Sequence, residues 1–377
     1  MVQLLKFMGS IRLKVIYILK KGFQCYPPCL AQVLFLHDLG VELTVYHGKN
    51  SEYVNDLFKQ RNIESHTLRS DNDTADRFNS YLKFISYTAE IRKVLSNIEK
   101  DAVLWFGNCE SAMTLGKVIR KFRYVLTVLE LYEDKSLYHR LVGKIISYAE
   151  QVICCEKHRA VIMKDRYGLE SVPHVIPNKP YMTEVSKNSI YGEKWSDLKR
   201  KYAGSKFILY QGLVEPDRPL DHIAMALKKI GDENLILLVM GNSKKEYEEK
   251  ITGLYEKSLF LGYIPAPEHL GITKDAYMGI AVYDDSNLNN QFCAPNKIYE
   301  YAAFGIPMIT SENLGLTETV GVYRAGRCVD FKNVDALADA MKDIRDQYKV
   351  YALNTRKFYE AADCKKAIEH IKNLMNL

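Results

Sequence analysis

The residues best placed to do chemistry lie in the segment CAPNKIYEYAAFGIPMIT, Cys293–Thr310, where a lysine and a glutamate open an otherwise apolar helix. Pro295 is a typical helix start, so free N–H groups and the positive end of the helix dipole would lie beside Lys297. Such an end binds phosphate. Arg218, in the loop after an earlier apolar run, could add a second cation. Glu300, about one turn further in, is suited to accept hydrogen bonds from two sugar hydroxyls. Diphosphate binding at one end and diol binding at the other is the pattern expected for a nucleotide.

The same lysine and glutamate could instead form an ordinary surface pair at i, i+3. Their position favours the binding interpretation, because they follow an apolar strand and a long polar loop and precede the turn FGIPMITS. Open α/β sheets bind ligands at the carboxyl ends of their strands.

The elements that must position these residues alternate along the chain. Apolar runs such as LKVIYIL, AVLWFG, KFILYQG and NLILLVMGN are separated by segments with helical periodicity. Strands that are apolar on both faces indicate buried, mostly parallel sheets. We therefore predict an α/β protein with two Rossmann-like doubly wound domains, residues 1–200 and 201–347, that face a central cleft. The polar stretch Thr183–Gly204 is interpreted as the linker. Residues 348–377 are predicted to be helical and to pack back on the N-terminal domain.

Composition and charge exclude several classes of protein. The chain has 377 residues and 47 % hydrophobic content, without the run of about eighteen apolar residues that a transmembrane helix requires. The eight cysteines have no disulfide or zinc spacing, which predicts reduced thiols in the cytoplasm. The net charge is +8 over residues 1–200 and −2 over residues 201–377. The densest basic cluster, Gly116–Tyr124, is either a solvated helix face or a surface for an anionic partner.

The segment APNKIYEYAAFGIPMITSENLGLTETV resembles the donor-site signature of the family 4 retaining glycosyltransferases, which have the GT-B fold. Further resemblances lie in YQGLVEPDRP, LLVMGNS, FLGYIPAPEHL and HVIPNKPY, and together they cover nearly the whole chain. The resemblance is to the type of enzyme that acts in surface and capsular polysaccharide assembly. It implies a hexosyltransferase that moves a sugar from a nucleoside diphosphate sugar, with retention at the anomeric carbon.

By this resemblance Glu300 contacts the ribose hydroxyls, while Arg218 and Lys297 hold the diphosphate and are the catalytic residues. The resemblance further implies contacts to the donor from Gly212, Gly241, Asn242, Gly262, Tyr263, Ile264, Asn296, Gly315, Leu316 and Thr317. On the acceptor side the candidates are Gly22, Glu130 and His139, with Glu133 a candidate by position. No metal and no cofactor is expected, since two cations and a helix end can hold a diphosphate. The carboxylate runs Asp71–Asp73 and Asp284–Ser286 could be metal ligands in another fold, but are interpreted as Asx-rich loops or caps.

Departures from the family pattern leave two alternatives open. The family usually carries a second glutamate eight residues before the one at Glu300, and Phe292 stands there. Asn289, Asn290 or Asn296 could hydrogen-bond the sugar instead. The basic residue that usually follows the glycine of the first strand is replaced by Leu213. The alternatives are a nucleotide-sugar 2-epimerase of the same fold and a non-catalytic binding subunit.

The expected partners are the nucleotide-sugar donor and a saccharide or polyprenyl-diphosphate-linked acceptor, and no nucleic acid. We expect a cytoplasmic protein that docks on the anionic inner face of the membrane through Lys117, Arg120, Lys121 and Arg123.

Overall fold

Two parallel β-sheets, each covered by helices, form the scaffold of this protein in a computed structural model. The structure describes residues 13–69, 77–132, 134, 136–182, 190–215 and 218–377. The chain divides into two compact units, residues 1–176 with 364–377 and residues 177–363. The predicted fold class, two Rossmann-like α/β domains, is confirmed.

The first unit is built on a seven-stranded parallel sheet with the strand order β3-β2-β1-β4-β5-β6-β7. Its strands are β1 (Val15–Leu19), β2 (Leu43–His47), β3 (Glu64–Thr67), β4 (Val103–Phe106), β5 (Arg123–Val128), β6 (Gln151–Cys154) and β7 (His174–Val175). Its helices are α1 (Pro27–Asp38), α2 (Glu52–Gln60), α3 (Arg77–Ser96), α4 (Leu137–Ile146), α5 (Lys157–Tyr167) and, from the end of the chain, α15 (Cys364–Leu374). The segment around Gly116, predicted as a helix, forms only short 3-10 turns, Cys109–Ser111 and Gly116–Lys121.

The second unit is built on a six-stranded parallel sheet with the strand order β10-β9-β8-β11-β12-β13. Its strands are β8 (Lys206–Gln211), β9 (Leu235–Met240), β10 (Ser258–Phe260), β11 (Met278–Ala281), β12 (Met308–Thr310) and β13 (Gly326–Cys328). Its helices are α6 (Ile190–Lys201), α7 (Leu220–Ile230), α8 (Lys245–Leu254), α9 (Leu270–Thr273), α10 (Leu288–Gln291), α11 (Asn296–Ala303), α12 (Leu314–Leu316), α13 (Val334–Asp346) and α14 (Tyr348–Ala361).

Both faces of this second sheet are buried, as the unbroken apolar strands predict. In β8, Ile208 and Tyr210 pack into one hydrophobic cluster, whereas Phe207 and Leu209 pack into another. Since successive strand residues point to opposite faces, the sheet is covered by helices on both sides.

The compact units differ from the predicted boundaries in two places. The first unit ends at Ile176 rather than at residue 200, and the stretch interpreted as a linker contains α6, whose Trp195 is buried and donates to Asp275 Oδ2 at 2.7 Å. The C-terminal segment is two helices, of which α14 belongs to the second unit and only α15 to the first. A single buried tryptophan can anchor a helix whose remaining residues are mostly polar, which is why composition alone suggested a linker.

Candidate functional site

Glycines bring the ends of three neighbouring strands of the second sheet into backbone contact. The φ angles are +133° at Gly212, +155° at Gly241 and +71° at Gly262. A Cβ at Gly241 would lie 1.8 Å from the Gly212 carbonyl oxygen, and the Gly241 N–H donates to the Gly262 oxygen at 2.9 Å. Only glycine fits such turns. The loops that follow β8, β9 and β10 are thus fixed against one another at the carboxyl edge of the sheet.

Helix α11 is fastened to the same sheet by Tyr301. The Tyr301 hydroxyl lies 3.1 Å from the Leu209 carbonyl oxygen and 3.2 Å from that of Ile280, and a Cβ at Gly279 would collide with its ring. Pro295 is the N-cap and supplies no capping side chain, and the Ile298 N–H donates to the Pro295 carbonyl oxygen at 3.3 Å. Within the described ranges no hydrogen-bond partner is found for the Asn296 and Lys297 N–H groups, so the start of α11 offers these two donors at a fixed position.

The two predicted cations, Lys297 and Arg218, converge on one aromatic ring. Arg218 Cζ lies 4.5 Å from the centroid of the Tyr283 ring, and Lys297 Nζ lies 5.3 Å from the same centroid. Lys297 Nζ is also 4.7 Å from the Tyr210 ring centroid. A Cβ at Gly212 would lie 2.9 Å from Nζ, so this glycine lets the ammonium group approach the backbone.

Tyr283, which sequence reasoning missed, is held by hydrogen bonds to a neighbouring loop. Its N–H donates to Ser311 Oγ at 3.0 Å, and Ser311 donates to Asn313 Oδ1 at 2.5 Å. Asn313 in turn donates to the carbonyl oxygens of Asp284 and Asn290 at 2.8 and 3.2 Å. These bonds fix the backbone at Tyr283, whose ring both cations contact, although no sequence signal marks this residue.

Burial and charge repulsion act together on Lys297. Its side chain is buried, and desolvation, followed by repulsion from Arg218, lowers the pKa of Lys297 from 10.5 to about 7, against an opposing attraction from Glu300. An anion placed between the two cations would relieve both penalties. This end of the site is therefore suited to a polyanion.

Replacing Lys297 with methionine is expected to stabilise the unliganded protein at low pH. The folded chain holds Lys297 neutral above about pH 7, whereas the unfolded chain keeps it charged up to about pH 10.5. The destabilisation is fully present below pH 7 and is lost as the pH rises towards 10.5. The free energy of unfolding of Lys297→Met should exceed that of the parent by on the order of 2–4 kcal/mol at pH 6, and by less at pH 9.5.

Urea unfolding at both pH values measures this difference, with Lys228→Met on the exposed face of α7 as the control. Equal stability of the Lys297→Met variant and the parent at both pH values would contradict the burial of a charged group.

Glu300 is buried and held by two residues that the sequence did not reveal. Gln211 Nε2 donates to Glu300 Oε2, and His269 Nε2 lies 3.2 Å from the same oxygen. The buried Thr273 hydroxyl lies 2.8 Å from Gln211 Oε1. A polar residue at the end of the apolar strand KFILYQ is a sequence signal that could have drawn attention to Gln211. No comparable signal marks His269.

The structure gives the remaining donor-side candidates different surroundings. Tyr263 and Asn242 are exposed and Asn296 is half-buried, whereas the side chains of Ile264 and Leu316 lie in the core. Those two could reach a ligand only through their backbone. Three candidates have contacts within the protein: Gly315 closely approaches the Cys293 carbonyl oxygen, the Thr317 hydroxyl donates to Leu314, and Asn290 donates to Asp284 Oδ1 at 2.7 Å.

The acceptor-side candidates lie in the first unit. A Cβ at Gly22 would lie 2.1 Å from the Lys49 carbonyl oxygen, so this glycine is required for loop packing. Glu130 is exposed. His139 is half-buried in the first turn of α4 and stacks on Tyr167 with ring centroids 5.1 Å apart. Glu133 lies outside the described residues.

The carboxylate runs provide no metal cluster in the part of the chain that the structure describes. Asp284 Oδ1 accepts hydrogen bonds from the Ser286 N–H at 2.9 Å and from its hydroxyl at 2.5 Å, which is an Asx turn. The run Asp71–Asp73 falls outside the described ranges.

Comparison with known proteins identifies what the second unit resembles. Residues 193–362 match the family model described as Glycosyl transferases group 1. No curated protein matches the sequence. One similar solved structure is HepE from Anabaena in complex with UDP, which is 14 % identical, with 97 % of this chain and 100 % of that chain covered and a TM-score of 0.69. Sucrose-phosphate synthase from Thermosynechococcus elongatus is 15 % identical, with 97 % of this chain and 98 % of that chain covered and a TM-score of 0.66. A TarM variant from S. aureus is 9 % identical, with 97 % of this chain and 100 % of that chain covered and a TM-score of 0.67.

At such low identity the structural neighbours show the fold alone. The match over residues 193–362 includes Arg218, Lys297 and Glu300. The family match is confined to residues 193–362, and the neighbours extend the likeness in fold to nearly the whole chain.

Proposed function

We propose that this protein, whose residues 193–362 match the group 1 glycosyl transferases within a GT-B fold, transfers a hexose from a nucleoside diphosphate sugar to a saccharide or lipid-linked saccharide acceptor. The observation that carries the proposal is the convergence of Lys297 and Arg218 on Tyr283 at the start of α11, one turn from the buried Glu300. The two cations at the start of α11 match the diphosphate of a nucleotide, and the carboxylate of Glu300, one turn further in, matches its ribose diol.

The proposed chemistry depends mainly on fixed positive charge. The diphosphate becomes more negative as the glycosidic bond breaks, and Lys297, Arg218 and the first-turn N–H groups of α11 stabilise that charge. Both side chains are already fixed at the start of α11, and a bound diphosphate favours the charged form of Lys297, so little reorganisation is needed during the reaction. We infer that the configuration is retained and that the leaving phosphate oxygen accepts the proton of the acceptor hydroxyl, so no side-chain base is needed.

The neighbours support a uridine nucleotide as the first donor to test. HepE has been crystallised with UDP, with UDP and glucose, and with UDP-glucose, and the TarM variant with UDP and saccharide ligands. The finer assignment to family 4 and to surface-polysaccharide assembly rests on the sequence resemblance.

Product analysis with a panel of nucleotide sugars and saccharide acceptors tests the proposed function. We expect a glycosylated product of retained configuration and release of the nucleoside diphosphate, with product still formed in excess chelator. Release of a free 2-epimerised sugar nucleotide would identify an epimerase. Tight donor binding without any product would identify a binding subunit, the alternative that the phenylalanine at position 292 favours.

Membrane docking, a further part of the proposal, has to use fewer basic residues than the sequence indicated. Arg120 stacks on Tyr148, with Cζ 3.6 Å from the ring centroid, and donates to the Lys144 carbonyl oxygen at 3.0 Å. Arg123 forms two hydrogen bonds with the Glu150 carboxylate, at 2.8 and 2.7 Å. Lys117 and Lys121 are exposed, which makes them the better candidates for contact with anionic lipid. No helix of the part that the structure describes is long and apolar enough to span a membrane.

Changing Lys117 and Lys121 together to glutamine is expected to weaken binding to anionic vesicles by about tenfold or more, because each basic residue near such a surface contributes about 1 kcal/mol. Vesicle sedimentation measures this, and binding of the parent should fall as salt is added. The matched control changes the exposed Lys245 and Lys349 to glutamine. Equal binding of both double variants and the parent would make a water-soluble acceptor the better proposal.

A further inference from the structure

In the described part of the chain, the side chains around Glu300 contact one of its two carboxylate oxygens, Oε2. Oε2 accepts from Gln211 Nε2 and lies 3.2 Å from His269 Nε2. Among the residues that the structure describes, no hydrogen-bond partner of Oε1 is found. Gln211 at the end of β8 donates to this oxygen, and His269 at the N-cap of α9 approaches it from a different element, so the two side chains restrict the rotation of the carboxylate.

The orientation of Gln211 is itself fixed. The Thr273 hydroxyl lies 2.8 Å from Gln211 Oε1 and 3.0 Å from the His269 carbonyl oxygen. A hydroxyl that donates to the amide oxygen leaves the amide nitrogen to face Glu300. Thr273 is fully buried, so water cannot substitute for this bond.

We propose that His269 is a positioning residue that, together with Gln211, holds Glu300 so that Oε1 is the oxygen that recognises the ribose. This inference rests on the proposed function, because it assigns a ribose-bearing ligand to Glu300. One carboxylate oxygen has two lone pairs and can accept from both hydroxyls of a vicinal diol. The correct angle of Oε1 therefore decides how strongly a ribonucleotide is preferred over its 2′-deoxy counterpart.

A purely structural role for His269 predicts a different result from a positioning role. If His269 only satisfied a buried carboxylate, its loss would lower stability and leave the ribose preference unchanged. If it positions Oε1, its loss lowers the ribose preference even in a folded protein. The ratio of two affinities separates these roles, because a general loss of folded protein affects both affinities equally.

Calorimetry with UDP, ADP and GDP and their 2′-deoxy counterparts tests the inference on the full chain. In His269→Leu we expect the ratio of ribo to 2′-deoxy affinity to fall by about fivefold or more, the effect of a weakened hydrogen bond. Affinity for the 2′-deoxy nucleotide should change by less than about twofold. His269→Gln, whose amide nitrogen can take the place of Nε2, should restore the ratio. His269→Asn, which is too short to reach Glu300, should behave like His269→Leu and serves if that variant does not fold.

An unchanged ratio in a folded His269→Leu or His269→Asn variant, with normal nucleotide binding by the parent, overturns the positioning role alone. If the parent binds none of the six nucleotides, the proposed function is overturned and this inference with it.

Discussion

Replacing Lys297 or Arg218 with methionine is expected to lower the rate of sugar transfer by about a hundredfold or more in each case, the usual cost of losing one electrostatic stabiliser. The reason is geometric, since both cations lie within 5.3 Å of the Tyr283 ring centroid at the start of α11. Neither charge can be replaced by water, because Lys297 is buried and Arg218 is held over the ring. Initial rates with a saturating donor measure the effect.

Folding provides the internal control for this first prediction. Lys297→Met should unfold no more easily than the parent at pH 6, because the substitution removes a buried ammonium group. Burial has already lowered the pKa of that group to about 7. A loss of turnover in a protein of equal or greater stability would separate the catalytic effect from misfolding. The matched variant Lys349→Met, on an exposed face of α14, should retain full turnover. Near-normal turnover in both site variants would remove these residues from the mechanism.

Replacing Glu300 with alanine is the second change with a large expected effect. It should weaken binding of the cognate nucleoside diphosphate by about 1–3 kcal/mol, the cost of losing hydrogen bonds to a charged group. Glu300 is 4 % exposed and is held by Gln211 and His269, so its carboxylate is preorganised for a ligand. Calorimetric titration of the variant and the parent measures the difference.

Two comparisons make the second prediction specific. Glu360→Ala, on an exposed face of α14, should bind the nucleotide as the parent does. Inorganic pyrophosphate, which carries no ribose, should bind Glu300→Ala no more weakly than the parent. Unchanged nucleotide affinity in Glu300→Ala would mean that the carboxylate serves only the packing of α11.

The sequence by itself determined the class of fold and indicated the main charged residues of the candidate site. Strands such as VIYIL and LILLVM are apolar throughout, which is the property of parallel strands buried on both faces. A proline, a lysine and a glutamate at fixed spacing placed Lys297 and Glu300 in the first turns of one helix, and helix geometry is local. Local patterns could therefore predict α11 and its candidate binding residues, Lys297 and Glu300, without a structure.

Only the tertiary structure decided the limits of the two units and the support around Glu300. The composition of residues 190–201 is typical of a polar linker, yet these residues form a helix of the second unit in which Trp195 is buried. Helices α14 and α15 adjoin in sequence but belong to different units. Gln211, His269 and Glu300 are far apart along the chain and meet because β8, α9 and α11 pack at one edge of a sheet. Periodicity reports which face of an element is buried. The partner that a buried polar atom finds depends on how distant elements pack, and that information is absent from any short stretch of sequence.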